Sequence, residues 1–276
     1  MACSPLEQFA IVPLVPKWIH RFRISKKESI SRAALPCKIE KEGKKYYSRR
    51  ERKVIFQRLL NTSAHLGYQG PPTPYYQRYS YGFRRGRAII DLEKTLLFLK
   101  IACNVIGSII RKEGHLLLVN TDPLYDDTMK RMARRTNQSY INSKWIGGFL
   151  TNWEHMKHEE RFEYSSTWRH SSPRFLKMQR YFEGLITRQI PDGLVILNAR
   201  RDSIAIFEAN RLRIPIVSLV NSTLPEGLHG LVTYPIPVNN DSVWFTNLFC
   251  QLVTKTVIHS KKARELSKKA DRVREI

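Results

Sequence analysis

The sequence has few of the residues that build disulfide frameworks, zinc ribbons or phosphate-binding loops. It contains four cysteines, at positions 3, 37, 103 and 250, and none of them belongs to a CxxC pair. Such wide spacing indicates free, mostly buried thiols in a reducing compartment. Glycine is also sparse, and neither a Walker-type lysine motif nor a GxSxG elbow occurs. The commonest sequence signals of nucleotide binding and of serine hydrolases are therefore missing.

Long apolar runs are missing as well. A membrane-spanning helix needs about 20 consecutive apolar residues, and no stretch of the sequence approaches that length. The apolar stretch 9–15 is short, contains Pro13 and is not followed by a cleavage-like site, so we do not expect a secretory signal. The sequence predicts no membrane partner.

Acidic residues are few compared with basic ones. The chain has 24 Asp and Glu against 47 Lys and Arg, a formal net charge of +23. A charge of this size attracts polyanions. Because the basic residues run through every segment and are not confined to one amphipathic helix, the pattern favours nucleic acid over an anionic membrane or an acidic protein. The apolar fraction of 42% is enough for a substantial core, so wholesale disorder is not expected.

The two ends of the chain differ from its middle. Residues 1–51 are predicted to be a basic N-terminal extension, since basic residues are frequent from Lys17 to Lys53 without helical or strand periodicity. An RNA-contacting arm and an organelle-targeting segment share this composition, and four glutamates favour the arm. We predict an α/β domain at 52–260, with a helical insertion at 151–190 and a basic C-terminal tail at 261–276.

Strand and helix patterns alternate along this central domain. The predicted strands are 116–119, 140–141, 194–197 and 215–220. The predicted helices run from Val54 to about Gly67, from Asp91 to Glu113, onward from Asp122, from Ser203 to Leu212 and onward from Asp241. Two of the strands, 116–119 and 194–197, are continuous apolar runs, as strands buried on both faces require. The pattern predicts an α/β fold of the flavodoxin type, a mostly parallel β-sheet with helices on both faces.

A proline-rich segment interrupts this pattern between the first two helices. Residues 70–76 contain three prolines and two tyrosines, so we predict a non-helical loop. Four arginines follow, at positions 78, 84, 85 and 87. Arginine and aromatic side chains interleaved on an irregular loop indicate RNA contacts through phosphate pairing and base stacking.

No set of residues in the sequence indicates catalysis. Ligands of such sheets bind beyond the carboxyl ends of the strands, but Asn120–Pro123 and Asn198–Asp202 lack the glycines of a phosphate-binding loop. His155 and His158 have the spacing of a metal pair, without a third ligand nearby. The carboxylates Asp91, Asp122, Asp202, Glu208 and Asp241 lie where helix starts and ion pairs are expected. We therefore expect no enzymatic activity, no cofactor and no metal.

Several motifs, in a fixed order, resemble the universal small-subunit ribosomal protein S2 family. The matching segments are Leu59-Leu60, His65–Tyr68, Ile89–Thr95, Tyr140–Trp153, Ile190–Asp192, Glu208-Ala209, Arg213–Pro215 and Ile236-Pro237. The segment YINSKWIGGFLTN is similar to the family's YVNxRWLGGxLTN almost position for position. The resemblance covers about residues 52–260 and implies a structural, RNA-bound protein of the small ribosomal subunit.

The sequence also departs from the family pattern. Asn198 stands where the family commonly has Asp, and the segments Asn221–Thr223 and Ile236–Asp241 have lost acids. The region between 151 and 191 is shorter than the helical hairpin of bacterial relatives. This divergence and the basic ends suggest a plant-type mitochondrial member, with a plastid member as the alternative.

The resemblance also implies binding partners. They are small-subunit ribosomal RNA, neighbouring small-subunit proteins and, as in bacterial relatives, the mRNA-binding small-subunit protein one. The candidate RNA contacts are Arg78, Arg84, Arg85, Arg87, Arg134, Arg135, Lys144, Lys157, Lys261, Lys262, Lys268 and Lys269. Trp145 and Trp153 are expected to pack in the core and not to stack on bases. Two other functions stay open: an RNA-processing or nucleotide-dependent enzyme on the same fold, and an interaction scaffold outside the ribosome.

Overall fold

The computed structural model describes residues 49–70, 72–153, 184–187 and 189–274. The chain divides into two units, Met1–Arg52 and Lys53–Ile276, and of the first only the beginning of one helix is described. Most of the predicted N-terminal extension and insertion, together with His155, Lys157 and His158, therefore lies outside the described residues.

The described helices and strands alternate along the second unit. The strands are β1 (Leu66–Gln69), β2 (Ser80–Arg84), β3 (Arg87–Ile90), β4 (Leu116–Val119), β5 (Ser139–Ile141), β6 (Gly193–Ile196), β7 (Ile216–Val220) and β8 (Tyr234–Pro237). The helices are α1 (Arg49–Asn61), α2 (Leu92–Arg111), α3 (Asp126–Thr136), α4 (Ser203–Arg211), α5 (Glu226–His229) and α6 (Val243–Arg274), with 3₁₀ helices at Pro74–Tyr79 and Pro123–Tyr125.

Five of the strands form a parallel sheet in the order β5-β4-β6-β7-β8. Counted from β4, this order is 2-1-3-4-5, the flavodoxin order. Leu116 pairs with Gly193 and Val119 with Ile196 at the centre of the sheet. All four residues of β4 and all four of β6 are buried, because a parallel sheet is covered on both faces. The predicted fold class is confirmed.

Alternate residues of each strand contribute to two separate apolar clusters. Leu116 and Leu118 join a cluster with residues of α2, α3 and α6, whereas Leu117 and Val119 join a second one with α4 and residues 145–153. Because strand side chains alternate between the two faces of a sheet, these clusters are the cores on its two faces. The helices therefore cover both faces, as predicted.

Capping side chains define where two of the helices begin. The Asp91 carboxylate accepts a hydrogen bond from the Glu93 backbone N at 2.9 Å at the start of α2. Asp122 does the same for Leu124 at 3.2 Å, with Pro123 in the first turn. A carboxylate at this position satisfies a backbone donor that the helix cannot. The two predicted helix starts are confirmed.

The segment that was predicted to be a loop folds into regular structure. Residues 74–79 form a 3₁₀ helix, since Pro74 occupies its first position, where no backbone donor is needed. Strands β1, β3 and β2 follow one another, in that order, in an antiparallel sheet. The four arginines therefore lie on a helix and a hairpin, which corrects the predicted irregular loop.

Two predicted helix boundaries also need correction. Helix α1 ends at Asn61, before His65, because Ser63 adopts a positive φ of 54°. At the start of α6 the capping residue is Ser242, whose Oγ accepts from Phe245 N at 3.3 Å, and not Asp241. The buried side of α6 includes Phe245, Phe249 and Val253, and Trp244 is exposed.

Candidate RNA-binding surfaces

Side chains close off the crevice in which flavodoxin-like sheets bind ligands. The crevice lies between the carboxyl ends of β4 and β6, where the strand order reverses. Thr121 Oγ1 donates to Asp202 Oδ1 at 2.7 Å across it, and the Arg201 guanidinium pairs with the Asp122 carboxylate at 2.5 Å. These contacts join the two loops where a ligand would otherwise bind.

Asparagine side chains form hydrogen bonds in this region, at positions where the family pattern has acids. Asn198 Oδ1 accepts from the backbone N of Arg200 and of Arg201, at 3.2 and 3.3 Å, which requires only an acceptor. Asn221 Nδ2 donates to Asn240 Oδ1 at 3.1 Å between the ends of β7 and β8. Asp202 is the buried acid of the region, and burial raises its pKa to about 6. The arrangement holds loops together and presents no paired acid and base.

Glu208 fixes the segment that contains the most specific sequence motif. Its Oε1 accepts from Trp145 Nε1 at 3.1 Å and from Gly148 N at 2.7 Å, and its Oε2 accepts from Leu150 N at 2.8 Å. A carboxylate that receives several donors makes strong, charge-assisted hydrogen bonds. Glu208 is thus a buried hub, by which we mean a carboxylate that accepts hydrogen bonds from several residues of one segment. This role differs from the helix start or ion pair expected from the sequence.

The aromatic side chains of this segment are internal. Trp145, Phe149 and Trp153 are buried and meet edge to face, with ring centroids 5.2 and 5.3 Å apart. The prediction that Trp145 and Trp153 pack in the core is confirmed. Lys144, next to this core, is exposed.

The β2–β3 hairpin carries three of the predicted arginine contacts at its tip. Arg84 pairs directly with Arg87 across the hairpin, and the intervening Arg85 and Gly86 have φ of 48° and 74°. Two positive φ values identify a type I′ turn, which suits the twist of a two-residue hairpin. All residues from Tyr81 to Arg87 are exposed. The hairpin therefore presents three guanidinium groups on a fixed backbone.

Buried aromatic side chains anchor the start of the hairpin. Tyr76 is buried and its hydroxyl donates to the Val220 carbonyl at 3.2 Å. Tyr79 stacks on His229, with ring centroids 5.5 Å apart. Arg78, the remaining predicted contact of this region, lies with its guanidinium 3.6 Å above the Tyr75 ring. Arg78 is exposed but already makes a cation–π contact.

Helix α3 has the basic outer face that its sequence predicts. Met129, Met132 and Ala133 are buried, while Arg134 and Arg135 are exposed in the last turn. The helix ends at Asn137, which adopts the left-handed conformation. Arginines at this end also complement the helix dipole, so part of their role is structural.

Helix α6 separates its basic residues between two faces. On the inner face, Lys261 Nζ donates to the Thr136 carbonyl at 2.7 Å and Arg264 Nη1 to the Ile110 carbonyl at 3.4 Å. These carbonyls lie at the C-terminal ends of α3 and α2, so both side chains act as caps. Lys268 on the same side pairs with Glu113.

The outer face of α6 carries a row of exposed lysines. Lys255, Lys262 and Lys269 are exposed and seven residues apart, a spacing of about 10.5 Å on a helix. Of the four predicted tail contacts, Lys262, Lys268 and Lys269 are thus exposed, although Lys268 pairs with Glu113, whereas Lys261 is partly buried and caps α3. The sequence analysis did not distinguish the pair Lys261 and Lys268 from the pair Lys262 and Lys269, although the members of each pair are seven residues apart and therefore lie on the same side of a helix.

Within the described part of the chain, no group of three His, Cys, Asp or Glu residues is arranged to hold a metal ion. The described helices also include none that is long and apolar enough to cross a membrane.

The comparisons with known proteins agree with this geometry. The profile of the family described as Ribosomal protein S2 matches residues 59–260. The chain is 54% identical over 232 residues to the small ribosomal subunit protein uS2m of Marchantia polymorpha, covering 80% of this chain and 98% of that protein. It is 35% identical to uS2m of Arabidopsis thaliana, covering 74% and 88% of the two chains. With uS2 of Treponema pallidum the identity is 30%, covering 75% and 76%.

Proposed function

The chain belongs to the ribosomal protein S2 family and is a structural, non-enzymatic protein of the mitochondrial small ribosomal subunit, and we propose that it binds ribosomal RNA there mainly through three exposed basic surfaces. The arginine turn (Arg84, Arg85 and Arg87) is the first surface. The second is the outer face of α3, with Arg134 and Arg135. The third is the outer row of α6, with Lys255, Lys262 and Lys269. Lys144 and Arg78 are further contacts.

The observation that carries the proposal is the arginine turn. Like charges directly opposite each other in a hairpin repel, and Arg84 and Arg87 form such a pair. Arg85 adds a third charge in a left-handed backbone conformation, which costs a non-glycine residue about 1–2 kcal/mol. Phosphate groups offset this repulsion, and each contact releases counterions from the RNA. The turn is therefore more favourable beside a polyanion than in isolation.

Contacts within the body of the protein support this role. Side-chain pairs bridge the crevice of the sheet, and Glu208 holds the loop beside it by hydrogen bonds. Since side chains do not read the deep major groove of A-form RNA, recognition depends on shape and phosphate positions. A scaffold held by such contacts keeps the three basic surfaces at defined positions, as recognition by shape requires.

Lys261 and Lys268 are the weakest of the predicted contacts. Lys261 is partly buried and donates to the Thr136 carbonyl, so we assign it mainly to stability. Lys268 is exposed but already pairs with the Glu113 carboxylate, an ion pair that adds little to stability. Lys157 remains a sequence-based candidate.

Sedimentation of a mitochondrial lysate tests the proposal. We expect the protein to travel with the small subunit on a sucrose gradient, and to be released by nuclease treatment or by high salt. Protein that stayed at the top of the gradient while intact small subunits migrated below it would overturn the proposal. Retention of a protein partner after nuclease and salt treatment, without RNA, would point to a scaffold role outside the ribosome.

We also propose that the chain assists docking of the mRNA-binding small-subunit protein one, as the family resemblance implies. Purified small subunits with and without this chain are the test. Loss of protein one only from the subunits that lack the chain supports the docking role, and equal occupancy contradicts it.

A further inference from the structure

The β2–β3 hairpin displays aromatic side chains as well as arginines. Tyr81 is 84% exposed, the highest value among the large apolar side chains of the described residues, and Phe83 is 56% exposed. Single exposed apolar residues are common on protein surfaces, but these two lie on one strand of the hairpin whose tip carries three arginines, and Arg84 directly follows Phe83. Neither ring is needed for the core, because Ala88 and Ile90 of the neighbouring strand already fill it.

The backbone of the strand that carries these two rings is paired with β3 on both sides of one irregularity. Ser80 pairs with Ile90 but Gly82 pairs with Ile89, so Tyr81 is the extra residue of a β-bulge. Bulges redirect a side chain at the edge of a sheet. Phe83 follows the bulge in regular pairing with Ala88. A rigid aromatic ring loses little conformational entropy on binding, so the surface is suited to a ligand.

The base of the hairpin is firmly attached to the parallel-sheet body. The backbone N of Asp91 donates to the Tyr79 carbonyl at 2.8 Å, and Tyr68 N donates to Ser222 Oγ at 3.0 Å. A Cβ atom at Gly67 would lie 2.7 Å from the Ala88 carbonyl oxygen, so β1 and β3 approach closely only because residue 67 is glycine. The backbone that carries the two rings is therefore attached to the body at its base.

Resting on the proposed RNA binding, we infer that Tyr81 and Phe83 stack on unpaired nucleotides of the small-subunit ribosomal RNA while the adjacent arginines contact the flanking phosphates. In an A-form duplex the bases are stacked on each other and unavailable to side chains, whereas loops and bulges offer free base faces. Aromatic residues beside cationic ones are the usual construction of such sites. Phosphate pairing alone would not need the two rings.

Binding of short fluorescent RNAs to the full chain tests the inference. We expect the double variant Tyr81→Leu/Phe83→Leu to lose at least about 25-fold in affinity for a 12-nucleotide single strand, because each of the two stacked bases contributes at least about 5-fold. Affinity for a 12-base-pair duplex should change less than twofold. Leucine keeps an apolar side chain and removes only stacking, and since both residues are exposed, the melting temperature should not change.

Phe207 provides the matched control, because it is 54% exposed and lies on α4, which carries none of the three proposed RNA-binding surfaces. Phe207→Leu should leave the single-strand affinity unchanged. Equal losses for single strand and duplex, no loss at all, or the same loss with Phe207→Leu would each overturn the inference.

A second experiment uses the assembled subunit and identifies the RNA. Ultraviolet crosslinking followed by mass spectrometry should find nucleotide adducts on Tyr81 or Phe83 that map to unpaired ribosomal RNA. Adducts to messenger RNA, to protein, or on neither ring contradict the inference. If the wild-type chain is found in small subunits and binds duplex without preferring single strands, only this inference fails. If it does neither, the proposed function fails with it.

Discussion

Two aromatic-rich regions of this chain differ in their exposure to solvent. In residues 145–153, Trp145, Phe149 and Trp153 are buried, and the Glu208 carboxylate satisfies the backbone around them. In the β2–β3 hairpin, Tyr81 and Phe83 are exposed beside three arginines. The difference shows how a strongly basic protein uses its charges. In the internal region a buried glutamate accepts hydrogen bonds from the backbone, whereas the external region displays exposed arginines. Stability should therefore depend on the first region and RNA affinity on the second.

The largest expected effect comes from breaking the internal hub. Glu208→Gln replaces one acceptor oxygen by an NH₂ group that faces backbone donors. We expect the free energy of unfolding to fall by about 3–4 kcal/mol, measured by urea denaturation with tryptophan fluorescence. Glu226→Gln, at an exposed glutamate, is the control and should change it by less than about 0.5 kcal/mol. Similar values for the two variants would remove the basis for calling Glu208 a hub.

A smaller effect should appear in the pH dependence of stability. Burial raises the pKa of Asp202 to about 6, so its contribution to stability is fully present below about pH 4 and is lost as pH rises through 6. Burial lowers the pKa of His229 to about 4, so its contribution is present above about pH 6.5 and is lost as pH falls through 4. The two contributions have opposite signs in the same pH range and nearly cancel.

Single substitutions should reveal each contribution. When the pH rises from 4 to 7, the free energy of unfolding of the wild type should hardly change. Over the same range, that of Asp202→Asn should rise by about 2–3 kcal/mol and that of His229→Phe should fall by about 2–3 kcal/mol. Urea denaturation at the two pH values measures this. A wild-type profile retained in both variants would contradict the burial of these groups.

The smallest effect compares the two faces of α6. Lys261→Gln should lower the free energy of unfolding by about 1 kcal/mol, because it removes a charge-assisted cap from the Thr136 carbonyl. Lys262→Gln, at the exposed neighbour, should leave stability unchanged and reduce the slope of log affinity against log salt by about one. Thermal unfolding and RNA titrations at several salt concentrations give both quantities. Identical behaviour of the two variants would mean that the faces of the helix do not differ in role.

Much of the parallel sheet could be predicted from the sequence because its strands are apolar on both faces. The strands β4, β6 and β7 lie within one residue of the predicted bounds. Strand β8 was missed because Pro235 and Pro237 argue against a strand. The two prolines are tolerated because β8 is the last strand of the sheet. A missing backbone donor there does not interrupt the hydrogen bonding between other strands.

The candidate surfaces were harder to predict than the sheet. The alternating apolar residues of β2, Tyr81 and Phe83, face solvent and not a core, and the Arg85-Gly86 turn is not one of the usual Asn-Gly or Asp-Gly signals. The hub was missed because no local pattern connects Glu208 with Gly148, which is 60 residues away. The arginine candidates of the hairpin region could be proposed from their position beside tyrosines and prolines, but only the tertiary structure distinguishes Lys262, which is exposed, from Lys261, which caps a helix.

The most direct measurement is the salt dependence of RNA affinity for the triple variant Arg84→Gln/Arg85→Gln/Arg87→Gln. We expect the slope of log affinity against log salt to become shallower by about three, one for each lost phosphate contact, with the free energy of unfolding unchanged or slightly higher. An unchanged slope, or a loss of stability without a change of slope, would show that the arginine turn serves the fold and not the RNA.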